Sequence, residues 1–229
     1  MNHLAGASVQ ERAVFPPTTQ PERYAAHGED PAVLADIYRE DINIAIWQRT
    51  LSQTLQDAVH HCLALHYPLQ CAMTVSPLTV RARLNEHLAI TPLDELADSI
   101  AHLVDMFCCL FGLERAALRL MSLERAMCPK FHVDKLPCRL VTTFQGPGTQ
   151  WLPQHAISRE SLGYGSETGK TGPLQLTWKQ SDIERLHCGD VALLKGERWE
   201  GNENAGIVHR SPAVAEGDRR LLLTLDFCQ

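Results

Sequence analysis

The chain contains no CxxC pair: its eight cysteines lie scattered at positions 62, 71, 108, 109, 128, 138, 188 and 228. That spacing argues for reduced thiols rather than a disulfide framework. The amino-terminal stretch lacks the basic and apolar regions of a secretory signal, and no apolar run reaches the length needed to span a bilayer. A soluble, cytoplasmic protein is expected. Basic stripes and acidic tails are missing too, with a formal net charge of -6 and an isoelectric point near 6.0. Nucleic acid and anionic membrane are therefore poor partners, and a small molecule or another protein fits better. No internal repeat of solenoid length is present. A phosphate loop is incomplete: "GSETGKTG" carries a Gly-Lys pair, but the required upstream glycine is Tyr164, and Gly172 and Pro173 leave no room for the helix that should follow.

What is present is a composition with 45% hydrophobic residues over 229 positions, enough for one sizeable core. Residues 1–30, with Pro16, Pro17 and Pro21 and little periodicity, read as a flexible arm. Residues 31–229 read as one α+β domain, with a mainly helical part at 31–115 and a strand-rich part at 116–229. "INIAIW" from Ile42 alternates like a short strand, and Leu51, Leu55, Val59 and Cys62 then recur at helical spacing, predicting a helix over 48–66. The clearest helix is "TPLDELADSIAHLVDMFCCLFG". Thr91 can cap it, Pro92 suits its first turn, Asp94 and Glu95 favour its positive end, and Gly112 can close it.

From Ala117 onward the segments "ALRLMSLE", "RLVTTFQ", "PLQLTW", "DVALLKG", "AGIVHRS" and "RRLLLTLDF" are β-prone and separated by Gly, Pro and Asn. Strands following helices predict an antiparallel sandwich or jelly roll with helices packed on it. The Gly-rich, polar stretch 146–172, carrying Trp151, His155 and Tyr164, reads as a long functional loop and a candidate substrate lid.

Within "PKFHVDKLPCRLV", His132 and Asp134 stand one residue apart, so an extended backbone would turn both side chains to one face. His209, in "AGIVHRSP", is the best placed third ligand. Two histidines and a carboxylate can hold one face of an octahedral ion and leave the opposite positions open. Arg219 and Arg220 follow ten and eleven residues after His209 and offer a planar fork for a carboxylate. One of the two should face inward, because neighbours on a strand point oppositely.

This set resembles the Fe(II)/2-oxoglutarate oxygenase superfamily, whose pattern is HxD, a distant His and an Arg about ten residues on. "CPKFHVD", "GPGTQWL", "GDVALLKGERW", "HRSP" and "RRLLLTLD" together are similar to the bacterial family catalogued as domain of unknown function 1826. The resemblance implies a double-stranded β-helix of the jelly-roll or cupin type with Fe(II) and 2-oxoglutarate as cofactors. It implies His132, Asp134 and His209 as metal ligands, Arg219 or Arg220 as the cosubstrate anchor, and Arg139 as a second possible carboxylate partner. The reaction implied is a dioxygenase, hydroxylase-type oxidation. It also implies a link to zinc-homeostasis GTPases.

The alternative is a zinc-binding protein or cupin-like zinc enzyme without oxygenase activity. Cys128 and Cys138 flank the HxD at four residues on either side, and thiolates favour zinc over Fe(II). Buried cysteines more often act as small hydrophobes, however, and the adjacent His60 and His61 point in different directions on a helix.

Overall fold

The computed structural model describes residues 22–65, 68–88, 94–157 and 178–228. Its strands are β1 (Tyr24–Gly28), β2 (Ile42–Trp47), β3 (Gln70–Val75), β4 (Ala116–Leu123), β5 (Cys138–Gln145), β6 (Gln150–Leu152), β7 (Glu184–Arg185), β8 (Val191–Lys195), β9 (Val208–Arg210) and β10 (Arg220–Phe227). Three α-helices accompany them among the described residues: α1 (Gln53–Leu65), α2 (Val80–Leu88) and α3 (Asp94–Phe111). Seven strands form one sheet in the order β1-β2-β8-β5-β10-β4-β3, antiparallel except for the β1–β2 pair. A smaller sheet runs β7-β6-β9.

Strand alternation divides the large sheet into two chemical faces. On β10, Leu221, Leu223 and Leu225 join Leu140 and Phe144 of β5 and Val191 and Leu193 of β8 on the helical side. There they meet Leu96, Ile100, Leu103 and Phe107, the stripe of α3 that the 3.6-residue period brings to one face. Each fully buried Leu or Phe in that layer is worth roughly 1.5–3 kcal/mol of transfer free energy. The other face turns Ile44, Ile46, Val141, Ala192, Leu194 and Leu222 against Trp151, Leu186 and Ile207 of the small sheet and its connections. The two sheets therefore enclose a second, thinner interior, and the polar residues of interest point into it.

α3 follows the expectation at the ends that can be seen. Asp94 and Glu95 sit in its first turn, and Gly112 closes it with φ 63° while the Leu113 N–H donates to Cys108 O at 2.8 Å. Thr91 and Pro92 lie outside the described residues. Other expectations need correction. The first thirty residues are not all arm: Tyr24–Gly28 is an edge strand parallel to β2. The 31–115 part holds, besides the expected strand β2, a second and unexpected strand of the large sheet, β3. The 146–172 stretch is not wholly loop, because Gln150–Leu152 pairs with both β7 and β9. No helix among the described residues is long and apolar enough to cross a membrane.

Candidate metal centre

His209 sits in the middle of β9 and exchanges both backbone hydrogen bonds with His132, N to O at 3.0 Å in each direction. This single bridge sets the two imidazoles side by side, with ring centroids 4.5 Å apart and planes tilted by 50°. Asp134 reaches the same point by a different route from the one its spacing suggested. Beyond the bridge at His132 the chain leaves the strand, and Asp134 lies in an irregular segment. That segment is fastened to the turn after β8: Glu197 N–H donates to Asp134 O at 3.0 Å, and Gly196 N–H to Pro137 O at 2.8 Å.

Two glycines make the close approach possible. A Cβ on Gly196 would lie 2.0 Å from Leu136 O and 2.8 Å from Asp134 O, and one on Gly206 would lie 2.4 Å from Val133 Cγ1. Gly196→Ala should therefore push the 133–136 segment away from the site. We expect metal affinity to fall by about tenfold or more. Metal titration of the folded variant checks this, and affinity equal to the parent's would show that the segment is not held in this way.

Together His132, Asp134 and His209 place one ligand atom each within 4.8 Å of one another, and they are the one such group of His, Cys, Asp or Glu among the described residues. His209 Nε2 lies 3.4 Å from Asp134 Oδ2, and His132 Nε2 lies 3.8 Å from Asp134 Oδ1. Each imidazole faces a backbone carbonyl at its other nitrogen: His132 Nδ1 is 3.0 Å from Lys130 O, and His209 Nδ1 is 3.2 Å from Ile207 O. A carbonyl only accepts, so Nδ1 carries a proton, and in the neutral ring Nε2 presents its lone pair to the shared point. Burial, and then His209 alongside, lower the His132 pKa and favour the neutral ring. Burial alone would raise the Asp134 carboxyl, but His209, Arg139 and His132 outweigh it and hold it at about 2. A divalent ion would bind through the Nε2 lone pairs of the two rings and the ionised Asp134 carboxylate, displacing any proton held on Nε2. His132 is the most open of the three, its side chain 35% exposed against 7% for His209, so access is from its side.

The three arginines separate cleanly. Arg139 does not wait for a ligand: its Nε and Nη2 clasp both oxygens of Asp226 at 2.7 and 2.9 Å, and its Nη1 donates to Asp134 Oδ2 at 2.7 Å. It fixes a ligand carboxylate rather than a cosubstrate. Arg219 turns to the helical side and donates to Leu63 O at the end of α1 at 2.9 Å. Arg220 turns inward and is 1% exposed. Its Nη2 donates to Thr143 Oγ1 at 3.1 Å and Thr149 Oγ1 at 2.9 Å, and its Nη1 approaches Ser211 Oγ at 3.5 Å. Ser211 stands two residues beyond His209, which brings the guanidinium to the same interior as the ligands. Burial lowers the Arg220 pKa to about 10, leaving it charged at neutral pH, yet no carboxylate pairs with it among the described residues.

The proposed loop residues divide as well. Trp151 is buried on β6 opposite His209 and packs in the interior between the sheets, not on a lid. His155 is exposed on the short 3-10 turn that follows, and Tyr164 lies outside the described residues. Neither flanking cysteine joins the ligand set: Cys128 is exposed, and Cys138 is buried on the helical side, where burial drives its thiol pKa far up. Asp226, the clasp of Arg139, was not singled out from the sequence. Its parity with Arg220 and Thr224 along β10 marks a polar inward face and was the available signal.

Among solved structures, the chain is similar to a dioxygenase for auxin oxidation from rice, at 12% identity over 90% of this chain and 82% of that one, with a TM-score of 0.48. It is also similar to a prolyl-4-hydroxylase from Pseudomonas putida, at 12% identity over 86% of this chain and 97% of that one, with a TM-score of 0.44. No curated protein matches the sequence. Residues 28–226, nearly the whole described chain and all of the site, match one family, and the chain belongs to it: protein of unknown function (DUF1826).

Proposed function

We propose that this protein is an Fe(II)- and 2-oxoglutarate-dependent oxygenase, its two sheets forming the double-stranded β-helix that the sequence motifs imply. The observation that carries the reading is Arg220: a buried guanidinium in the same interior as His132, Asp134 and His209, offered hydroxyls but no counter-charge. A buried cation left without a carboxylate costs several kcal/mol, and a bidentate carboxylate is its natural complement.

The residues present fit the ion as well as the cosubstrate. His132, Asp134 and His209 would hold iron through two nitrogens and one oxygen on one side, leaving the other positions open, and among the described residues no thiolate joins them to complete a tetrahedral zinc site. Iron and 2-oxoglutarate would supply the oxidising chemistry, with dioxygen as oxidant and succinate and carbon dioxide as products of the cosubstrate. The chain's own share is positional. Arg139 orients Asp134, the Nδ1 bonds orient both imidazoles, and Arg220 with Thr143 and Thr149 would receive the distal carboxylate. Val141, Leu194, Leu222 and Trp151 keep the surrounding interior apolar and short of water.

Anaerobic reconstitution with Fe(II) and 2-oxoglutarate tests the reading. A visible charge-transfer band is expected, lost in His209→Ala, with stoichiometric metal also lost in His132→Ala and Asp134→Ala. Tight stoichiometric zinc without any such band would replace this reading with a zinc-binding one.

A further inference from the structure

A second set of buried cations gathers outside the metal centre, in a pocket of about 790 Å³ at the end of β8. Arg23 and Lys195 line it and are 8% and 2% exposed. Arg23 donates from Nε to Asn202 Oδ1 at 3.3 Å and from Nη2 to Gly201 O at 3.0 Å. Lys195 donates to Arg39 O at 2.9 Å, which uses one of its three ammonium protons. Neither residue forms an ion pair among the described residues. The adjacent Asp41 is already clasped by Arg39 at 2.8 Å, and Glu40 and Glu200 are exposed. Burial, followed by repulsion from Arg23, lowers the Lys195 ammonium to about 8. Asp41 and Glu40 offset these two buried cations only from a distance, and with no carboxylate in contact among the described residues an anion placed between them would be favoured.

Tyr38, Phe111, Trp199 and Phe227 supply the aromatic part of the lining, beside the exposed Glu40, Arg198 and Glu200. The Trp199 ring lies under Lys195 Nζ, 4.9 Å from centroid to nitrogen, and Phe111 packs against Trp199 and Phe227 with centroids 6.0 and 5.0 Å away. The geometry points to a binding site for a small organic anion, with a carboxylate or phosphate head between Arg23 and Lys195 and a flat apolar body against Trp199. The volume suits a molecule of metabolite size. This site is not the interior of the metal centre: Lys195 pairs in register with Cys138 on the helical face of the sheet, whereas Leu194 and Arg220 point the other way. It therefore does not depend on the oxygenase reading.

Isothermal titration of the full chain with phenyl phosphate, benzoate and inorganic phosphate at constant ionic strength tests the site. Saturable binding of phenyl phosphate or benzoate to one site per chain is expected, and their ratio distinguishes a phosphate head from a carboxylate one. Inorganic phosphate should bind more weakly. Arg23→Met and Lys195→Met should each weaken binding by about tenfold or more, as loss of a charged hydrogen bond does. His132→Ala should bind like the parent. Trp199→Leu, which leaves both charges in place, provides a variant independent of their folding effects and should erase the preference for phenyl phosphate over inorganic phosphate. Absence of saturable binding for all three probes would overturn the assignment. So would affinity unchanged by both charge substitutions, a preference unchanged by Trp199→Leu, or binding lost in His132→Ala.

Discussion

Arg220→Met should lose 2-oxoglutarate binding while the apo-protein stays at least as stable. The guanidinium is 1% exposed, and among the described residues it hydrogen-bonds only to the hydroxyls of Thr143, Thr149 and Ser211. Removing one partner of a buried charge pair costs roughly 2–5 kcal/mol of binding, or about thirtyfold to several thousandfold in affinity. In the free protein the balance runs the other way. A buried cation without a carboxylate is replaced by an apolar chain of similar length, and stability should be unchanged or rise by about 1 kcal/mol. Arg219→Met is the control, because its guanidinium donates to Leu63 O on the opposite face. It should cost about 1 kcal/mol of stability and leave cosubstrate affinity intact. Cosubstrate titration and urea unfolding of both variants decide the matter. Loss of binding in Arg219→Met alone would show that Arg219, not Arg220, is the anchor.

Arg139→Met should damage both the fold and the metal site. Its guanidinium bridges Asp134 and Asp226, whose side chains are 15% and 11% exposed. Without it two carboxylates share the end of β5 and β10 with no cation between them. Breaking a largely buried pair in this way costs roughly 3–5 kcal/mol. Metal affinity should fall about 10- to 100-fold, because Asp134 loses the donor that aims it. The double variant Arg139→Met with Asp226→Leu separates the two effects. It removes the stranded charge on β10 and should recover most of the stability in urea unfolding, but not the metal affinity. Recovery of both would mean that Arg139 only balances charge and does not position Asp134.

The residues of this centre were legible in the sequence to different depths and for different reasons. His132, Asp134 and His209 stood out because their types and spacing carry metal chemistry wherever the backbone goes, and they do converge. The reason given for their convergence was partly wrong, since Asp134 leaves the strand and is aimed by Gly196, Glu197 and Arg139. Contacts between segments some sixty residues apart in sequence leave no local periodicity to read. The choice between Arg219 and Arg220 was open to a closer look at "RRLLLTLDF". Leucines occupy both parities of that strand, but Thr224 and Asp226 share theirs with Arg220 and mark the polar interior. α3 was legible at once from its apolar stripe. β1 was not, because "YAAHG" has weak strand preference and is held by its pairing to β2. β6 is three residues long inside a Gly-rich stretch, too short to show alternation.

The clasp of Arg139 by Asp134 and Asp226 also has a thermodynamic consequence. Among the described residues, the two inward arginines, Arg139 and Arg220, are matched in number by two aspartates, Asp134 and Asp226, beside the three ligands. A divalent ion alone would add two positive charges beside these side chains with nothing to offset them. A dianion alone would find, among the described residues, Arg220 as the one inward arginine not already paired with a carboxylate. Each therefore binds better once the other is present, and the preference is reciprocal by linkage. The interior is balanced for the pair and for neither member separately, so metal affinity should be read with the dicarboxylate present.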